Sequence, residues 1–222
     1  KRFKSREEIF RDIGKEIAEF HESLKDVPPE KLSEGQRLFM DNYSFFMEQV
    51  AMVESNYTDE VKRSLGMTAI HNDLQAANVR FDAGGEVISL FDFGFSQSDP
   101  RVVEFVAMLL GSDGPHLPLT YSKDKVISML KAYQGAVRNK LSKVEVAAVI
   151  EIIRIRFLED IRSRFIRHSA QFRKNIFDYP LLMPYTQPSI DVFRRFASDE
   201  LSPEEIFYEI NREAPPSAAL GG

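Results

Sequence analysis

The 222-residue sequence contains no cysteine and no tryptophan. The first absence excludes disulfides and any Cys-based zinc or iron-sulfur site, and it is compatible with a reducing compartment. The second leaves only tyrosine and phenylalanine to hold a cation against a ring, and these do so less strongly than indole. No apolar run approaches the roughly 20 residues of a membrane span. The basic start, Lys1-Arg2-Phe3-Lys4, has no apolar signal core behind it, so no membrane partner is expected and the reading is cytoplasmic. A net charge of -5 argues against nucleic acid as a partner of the whole chain. With 43% hydrophobic residues the chain is expected to fold as a globule around one substantial core or two small ones.

What the sequence does have is concentrated between Ile70 and Phe95, I-H-N-D-L-Q-A-A-N-V-R-F-D-A-G-G-E-V-I-S-L-F-D-F-G-F. Two short apolar runs, Val79 to Phe81 and Val87 to Phe91, read as strands joined by a turn at Asp82-Ala83-Gly84-Gly85. His71, Asp73 and Asn78 precede the hairpin and Asp92 follows it. An Asp five positions before an Asn, with a second Asp at the end of the returning strand, is the pattern that phosphoryl transfer needs. One carboxylate orients the attacking hydroxyl and takes its proton. An amide oxygen and a second carboxylate are hard oxygen donors suited to Mg²⁺.

These residues carry a family resemblance. H-N-D-L-Q-A-A-N followed by F-D-F-G resembles the catalytic loop and metal-binding Asp of the aminoglycoside phosphotransferase and choline kinase group, small-molecule relatives of the protein kinases. The resemblance implies that Asp73 is the catalytic base, that Asn78 and Asp92 are Mg²⁺ ligands beside ATP or GTP, and that His71 braces the loop. It implies a kinase of aminoglycoside, choline or homoserine type, acting on a small-molecule hydroxyl. The sequence departs from the group at two places. Asn72 stands where the group commonly has Gly, and the Asp usual three residues after Asp-Pro is Val103, with Glu104 one place later. The Ala18-Glu19-Phe20-His21 segment resembles the helix that opens the C-terminal lobe in the same group, which makes His21 structural rather than catalytic.

The resemblance covers the C-terminal lobe only. No alternating strands, no G-x-G-x-x-G and no V-A-I-K-like run precede His71, and the 70 residues before it read as helix and connection. The expectation is therefore an α+β, mainly α fold: the helical C-terminal lobe of a protein-kinase-like fold, spanning residues 1–222, with a small central β-hairpin. A nucleotide-covering N-terminal lobe is expected to lie outside it. The chain would then be a piece of a longer enzyme, a lobe completed by another chain, or a non-catalytic binding lobe. A further reading makes His71, Asp73 and Asp92 the metal triad of a hydrolase, and it leaves Asn78 without a role. The oligomeric state is not legible. Protein substrates are disfavoured, because Gln75 stands where protein kinases usually have Lys and no A-P-E motif follows.

The flanks read as helices. Capping boxes are expected at Ser5-Glu8, Ser33-Gln36, Ser142-Glu145 and Ser202-Glu205, and simple caps at Thr58 and Ser122, with Gly66 ending the helix that Thr58 starts. Tyr179 to Pro188 reads as a proline-punctuated connection leading to a helix from Ser189 to Ala197. Between Arg154 and Lys174 stand seven basic residues against Glu159 and Asp160. A solvated helix face is the favoured reading and an anion site the alternative. His116, in the loop from Gly111 to Pro118, could touch substrate but is expected to be incidental.

Overall fold

The computed structural model describes residues 6–74, 76–110, 119–167, 179–199 and 202–212. Their order is α1 (Arg6–Leu24), α2 (Glu34–Asn56), α3 (Asp59–Ser64), β1 (Met67–Ile70), β2 (Val79–Phe81), β3 (Val87–Leu90), β4 (Gln97–Pro100), α4 (Arg101–Leu109), α5 (Lys123–Ala136), α6 (Lys143–Arg162), α7 (Tyr179–Ser198) and α8 (Pro203–Asn211). The fold is α+β and mainly α.

Local chemistry sets many of the helix ends. Ser33 and Ser142 form complete capping boxes with Gln36 and Glu145, each satisfying backbone N–H groups that an open helix start leaves unpaired. Ser202 accepts from the Glu205 N–H without the reciprocal bond, and the expected box at Ser5 lies outside the described residues. Thr58 caps α3 as expected, whereas α3 ends through Leu65 in an extended conformation rather than through a left-handed Gly66.

The core is built around α6, which packs against α1, α2, α4, α7 and α8. Val146, Val149, Ile153, Phe157, Leu158 and Ile161 on α6 are buried, as are Phe39, Phe46 and Val53 on α2 and Ile13 and Ile17 on α1. Aromatic rings link the layers: Phe157 stacks on Phe193 of α7 at 4.9 Å, and Phe39 meets Phe165 edge-on at 5.4 Å. Phe165 belongs to a π-helical turn, Ser163–Arg167, that continues α6. Among the described residues no helix is long and apolar enough to cross a membrane.

Three expectations need correction. The segment before His71 is not wholly helix and connection, because β1 pairs antiparallel with β4, Met67 opposite Pro100 and Ile70 opposite Gln97. Four residues without alternation carry too little pattern to announce a strand. The prolines of residues 179–188 do not break the chain, since Pro184 and Pro188 lie inside α7, where burial of Thr186, Ser189, Ile190, Phe193 and Phe196 outweighs the lost backbone donors. The basic stretch is not a solvated face either. Arg154, Arg162 and Arg164 are buried and bound to Glu151, Glu16 and Asp160, while Arg156 pairs with Glu159. Those four guanidinium groups are thus engaged by the chain's own carboxylates. The side chains of Arg167, Arg173 and Lys174, and His116, lie outside the described residues.

Candidate active site

Ile70, the buried last residue of β1, delivers the chain to the loop that holds His71, Asn72 and Asp73. Two consecutive backbone N–H groups of this loop, those of His71 and Asn72, donate to the Glu104 carboxylate on α4; the Asn72 N–H lies 3.2 and 3.1 Å from its two oxygens. Asn72 adopts a left-handed conformation, φ 65°, which asparagine tolerates better than most residues. His71 is buried, and its Nε2 donates to the Phe91 carbonyl at 2.9 Å, since a carbonyl can only accept. That bond ties the loop to the residue immediately before Asp92. The Phe93 ring lies 4.6 Å from the imidazole.

Asn78 closes the loop from the other side. Its Nδ2 donates to the Asp73 carbonyl at 2.8 Å and to the Asp73 carboxylate at 2.9 Å, so Asp73 is held at both its backbone and its side chain. The Asn78 carbonyl in turn accepts from the Phe91 N–H at 3.1 Å. β2 and β3 pair in between, with an irregularity at Arg80/Phe81. Their turn is organised by Asp82, whose Oδ1 accepts from the Gly84 and Glu86 N–H groups, and by Gly85, whose φ of 87° excludes a side chain without strain.

Asp92 is left-handed, φ 62°, directly before a short 3-10 turn, Phe93–Phe95. A Cβ on Gly94 would lie 3.3 Å from Asp92 Oδ1, a tight approach that the carboxylate would have to yield to by a few tenths of an ångström. Of the four residues nominated by the sequence, Asp73 and Asn78 touch directly. His71 and Asn78 both bind Phe91, the residue before Asp92.

The model of the phosphotransferase enzyme family (APH) matches residues 2–136, more than half of the chain. The chain belongs to this phosphotransferase enzyme family. No curated protein matches it. Among solved structures, an ethanolamine kinase from Plasmodium vivax is similar over 84% of this chain and 50% of its own, at 18% identity and a TM-score of 0.47. The chain thus spans about half the length of that structure.

Glu104, one residue beyond the position where the group usually has Asp, binds both loop amides. Asn72 stands in a conformation that glycine adopts without penalty, which explains why glycine suits this position.

The donor set fits a magnesium ion. Asn78 Nδ2 is committed to Asp73, which leaves Oδ1 as the atom that could face a cation, and the Asp92 carboxylate would supply a second hard oxygen. Two protein oxygens completed by phosphates suit Mg²⁺, which keeps few protein ligands. Among the described residues no group of three or more His, Cys, Asp or Glu side chains could hold a metal, so a hydrolase triad of His71, Asp73 and Asp92 is not assembled.

The site-bearing segment is unusually bare. Phe81, Val87, Ile88, Leu90, Phe91, Phe93 and Phe95 are all exposed, Phe95 by 63%. A two-stranded hairpin with apolar side chains on both faces buries little of its own surface.

Proposed function

We propose that the chain is the C-terminal lobe of a small-molecule kinase that transfers the γ-phosphoryl group of ATP or GTP to a substrate hydroxyl. The observation that carries this reading is the pair of bonds from Asn78 to Asp73, joined through Phe91 to the position of Asp92. Asp73 would accept the hydroxyl proton and aim the oxygen at the phosphorus. Its carboxylate is held in place by Asn78, so little reorganisation is needed at the moment of transfer. Asn78 Oδ1 and Asp92 would hold Mg²⁺, which when bound neutralises charge on the nucleotide phosphates. His71 would keep the loop and Asp92 in a common frame.

The exposed apolar hairpin and the Phe93–Phe95 turn support the presence of a covering lobe supplied by polypeptide outside these 222 residues. Such a lobe would shield the nucleotide and exclude water. Glu159 and Asp160 are bound to Arg156 and Arg164, so these two carboxylates are engaged within the chain rather than offered to a polycationic acceptor.

Two measurements test the proposal. Mg²⁺ with ATP should raise the thermal midpoint of the protein, equivalent to about 2.7 kcal/mol at a hundredfold excess over the dissociation constant, and the shift should vanish in Asp92→Ala. In the chain joined to its nucleotide-covering lobe, Asp73→Ala should lower turnover by ~10² to 10⁴. Unchanged turnover would remove Asp73 from the mechanism.

A further inference from the structure

The guanidinium of Arg101, the first residue of α4, is saturated. Nε donates to Glu145 Oε1 at 2.7 Å, and Nη1 donates to the Tyr133 hydroxyl at 3.2 Å and the Asn139 carbonyl at 2.7 Å. Nη2 donates to the Lys140 carbonyl and to Glu145 Oε2, both at 3.0 Å. An arginine has five N–H donors, and each has an acceptor here. The acceptors belong to α5, the turn after it and the first turn of α6. Glu145 is also the residue that closes the α6 capping box, where its Oε2 accepts from the Ser142 N–H and hydroxyl.

This fork sits three residues before Glu104, one helical turn away, and directly after Pro100, which pairs with Met67 at the start of β1. β1, which leads to the His71–Asp73 loop, and β4, which leads to α4, are therefore paired beside α4's first turn. Val102, Val103 and Val106 bury the helix against the core. Apolar burial is non-directional, however: it resists separation of α4 from the core more than sliding or rotation along it. Directional bonds decide where a carboxylate one turn along will stand, and a bidentate arginine fork is the most geometrically demanding of these.

We propose that Arg101 is a positioning residue for the catalytic loop: by docking the start of α4 on the N-terminus of α6, it places Glu104 to bind the His71 and Asn72 amides. The assignment of this loop as catalytic rests on the function proposed above, but the positioning itself does not. The route runs from the α6 capping box through Arg101 and the first turn of α4 to Glu104, and from there to the residue before Asp73.

Amide hydrogen exchange resolved by residue, on the full chain without nucleotide, tests it. Arg101→Lys keeps the charge but cannot reproduce the fork. It should accelerate exchange at the His71 and Asn72 amides about tenfold or more, while amides in the middle of α6 keep their protection. The same two amides should accelerate in Glu104→Gln, and adding Arg101→Lys to Glu104→Gln should produce little further change at them. Arg156→Gln, which removes another ion pair of the protein, should leave them unchanged. Unaltered protection of His71 and Asn72 in Arg101→Lys, or an equal acceleration throughout α6, would overturn the proposal. Because no turnover is read, absence of kinase activity would count against the proposed function and leave this result standing.

Discussion

Two regions of this molecule spend their aromatic residues in opposite ways. In the helical body Phe39, Phe46, Phe157 and Phe193 are at most 1% exposed, whereas in the site-bearing segment Phe81, Phe91, Phe93 and Phe95 are 42% to 63% exposed. The body gains its stability from its own packing. The site segment gains little from burial and is held instead by directional anchors: Glu104 on two amides, His71 on the Phe91 carbonyl, Asn78 on Asp73. Rigid geometry at the site thus depends on a few polar contacts attached to a well-packed scaffold.

The comparison can be broken most forcefully at its two aromatic poles. Phe157→Ala should cost about 3 to 5 kcal/mol in chemical denaturation, as expected for emptying a filled core position. Phe95→Ala should stay within about 0.5 kcal/mol, because its ring already meets solvent. Comparable losses at the two positions would mean that the hairpin region is as much a part of the core as α6.

Glu104→Ala comes next in size. It strips the acceptor from two partly buried N–H groups and should cost about 2 to 3 kcal/mol, with loosening concentrated at His71 and Asn72. A smaller effect is expected at Asn72. Asn72→Ala should lose about 1 kcal/mol, since alanine tolerates φ 65° poorly, and Asn72→Gly should lose less than Asn72→Ala.

Acid sharpens the picture from the scaffold side. Burial pushes the Glu145 carboxyl up, but the Arg101 fork and the Ser142 N–H outweigh it and leave the group below the usual carboxylate range. A depressed value means that this carboxylate adds stability at pH values above the ordinary figure of about 4.3, and that the contribution is lost as the pH falls further toward the folded value. Acid titrations of stability should therefore be shallower in Glu145→Gln than in the parent chain over that window. Parallel curves would show that the Arg101–Glu145 contact contributes no pH-dependent stability.

Features decided within a few residues were legible in the sequence. The capping boxes at Ser33 and Ser142, the β2–β3 turn built on Asp82 and Gly85, and the Asp73–Asn78 contact all depend on short separation, where side-chain chemistry and backbone preference suffice. Other features required the assembled fold. The β1–β4 pairing joins two unremarkable stretches, Glu104 reaches the loop across 33 residues, and Arg101 reaches Glu145 across 44. The same holds for Arg162, whose carboxylate partner Glu16 lies on α1, for Arg154, which also donates to the Gln49 amide on α2, and for Pro184 and Pro188, which α7 tolerates because its buried face is worth more than the donors it forgoes. Local pattern names which groups are present. Long-range packing decides which of them meet, because that choice depends on the burial and loop closure of the whole chain.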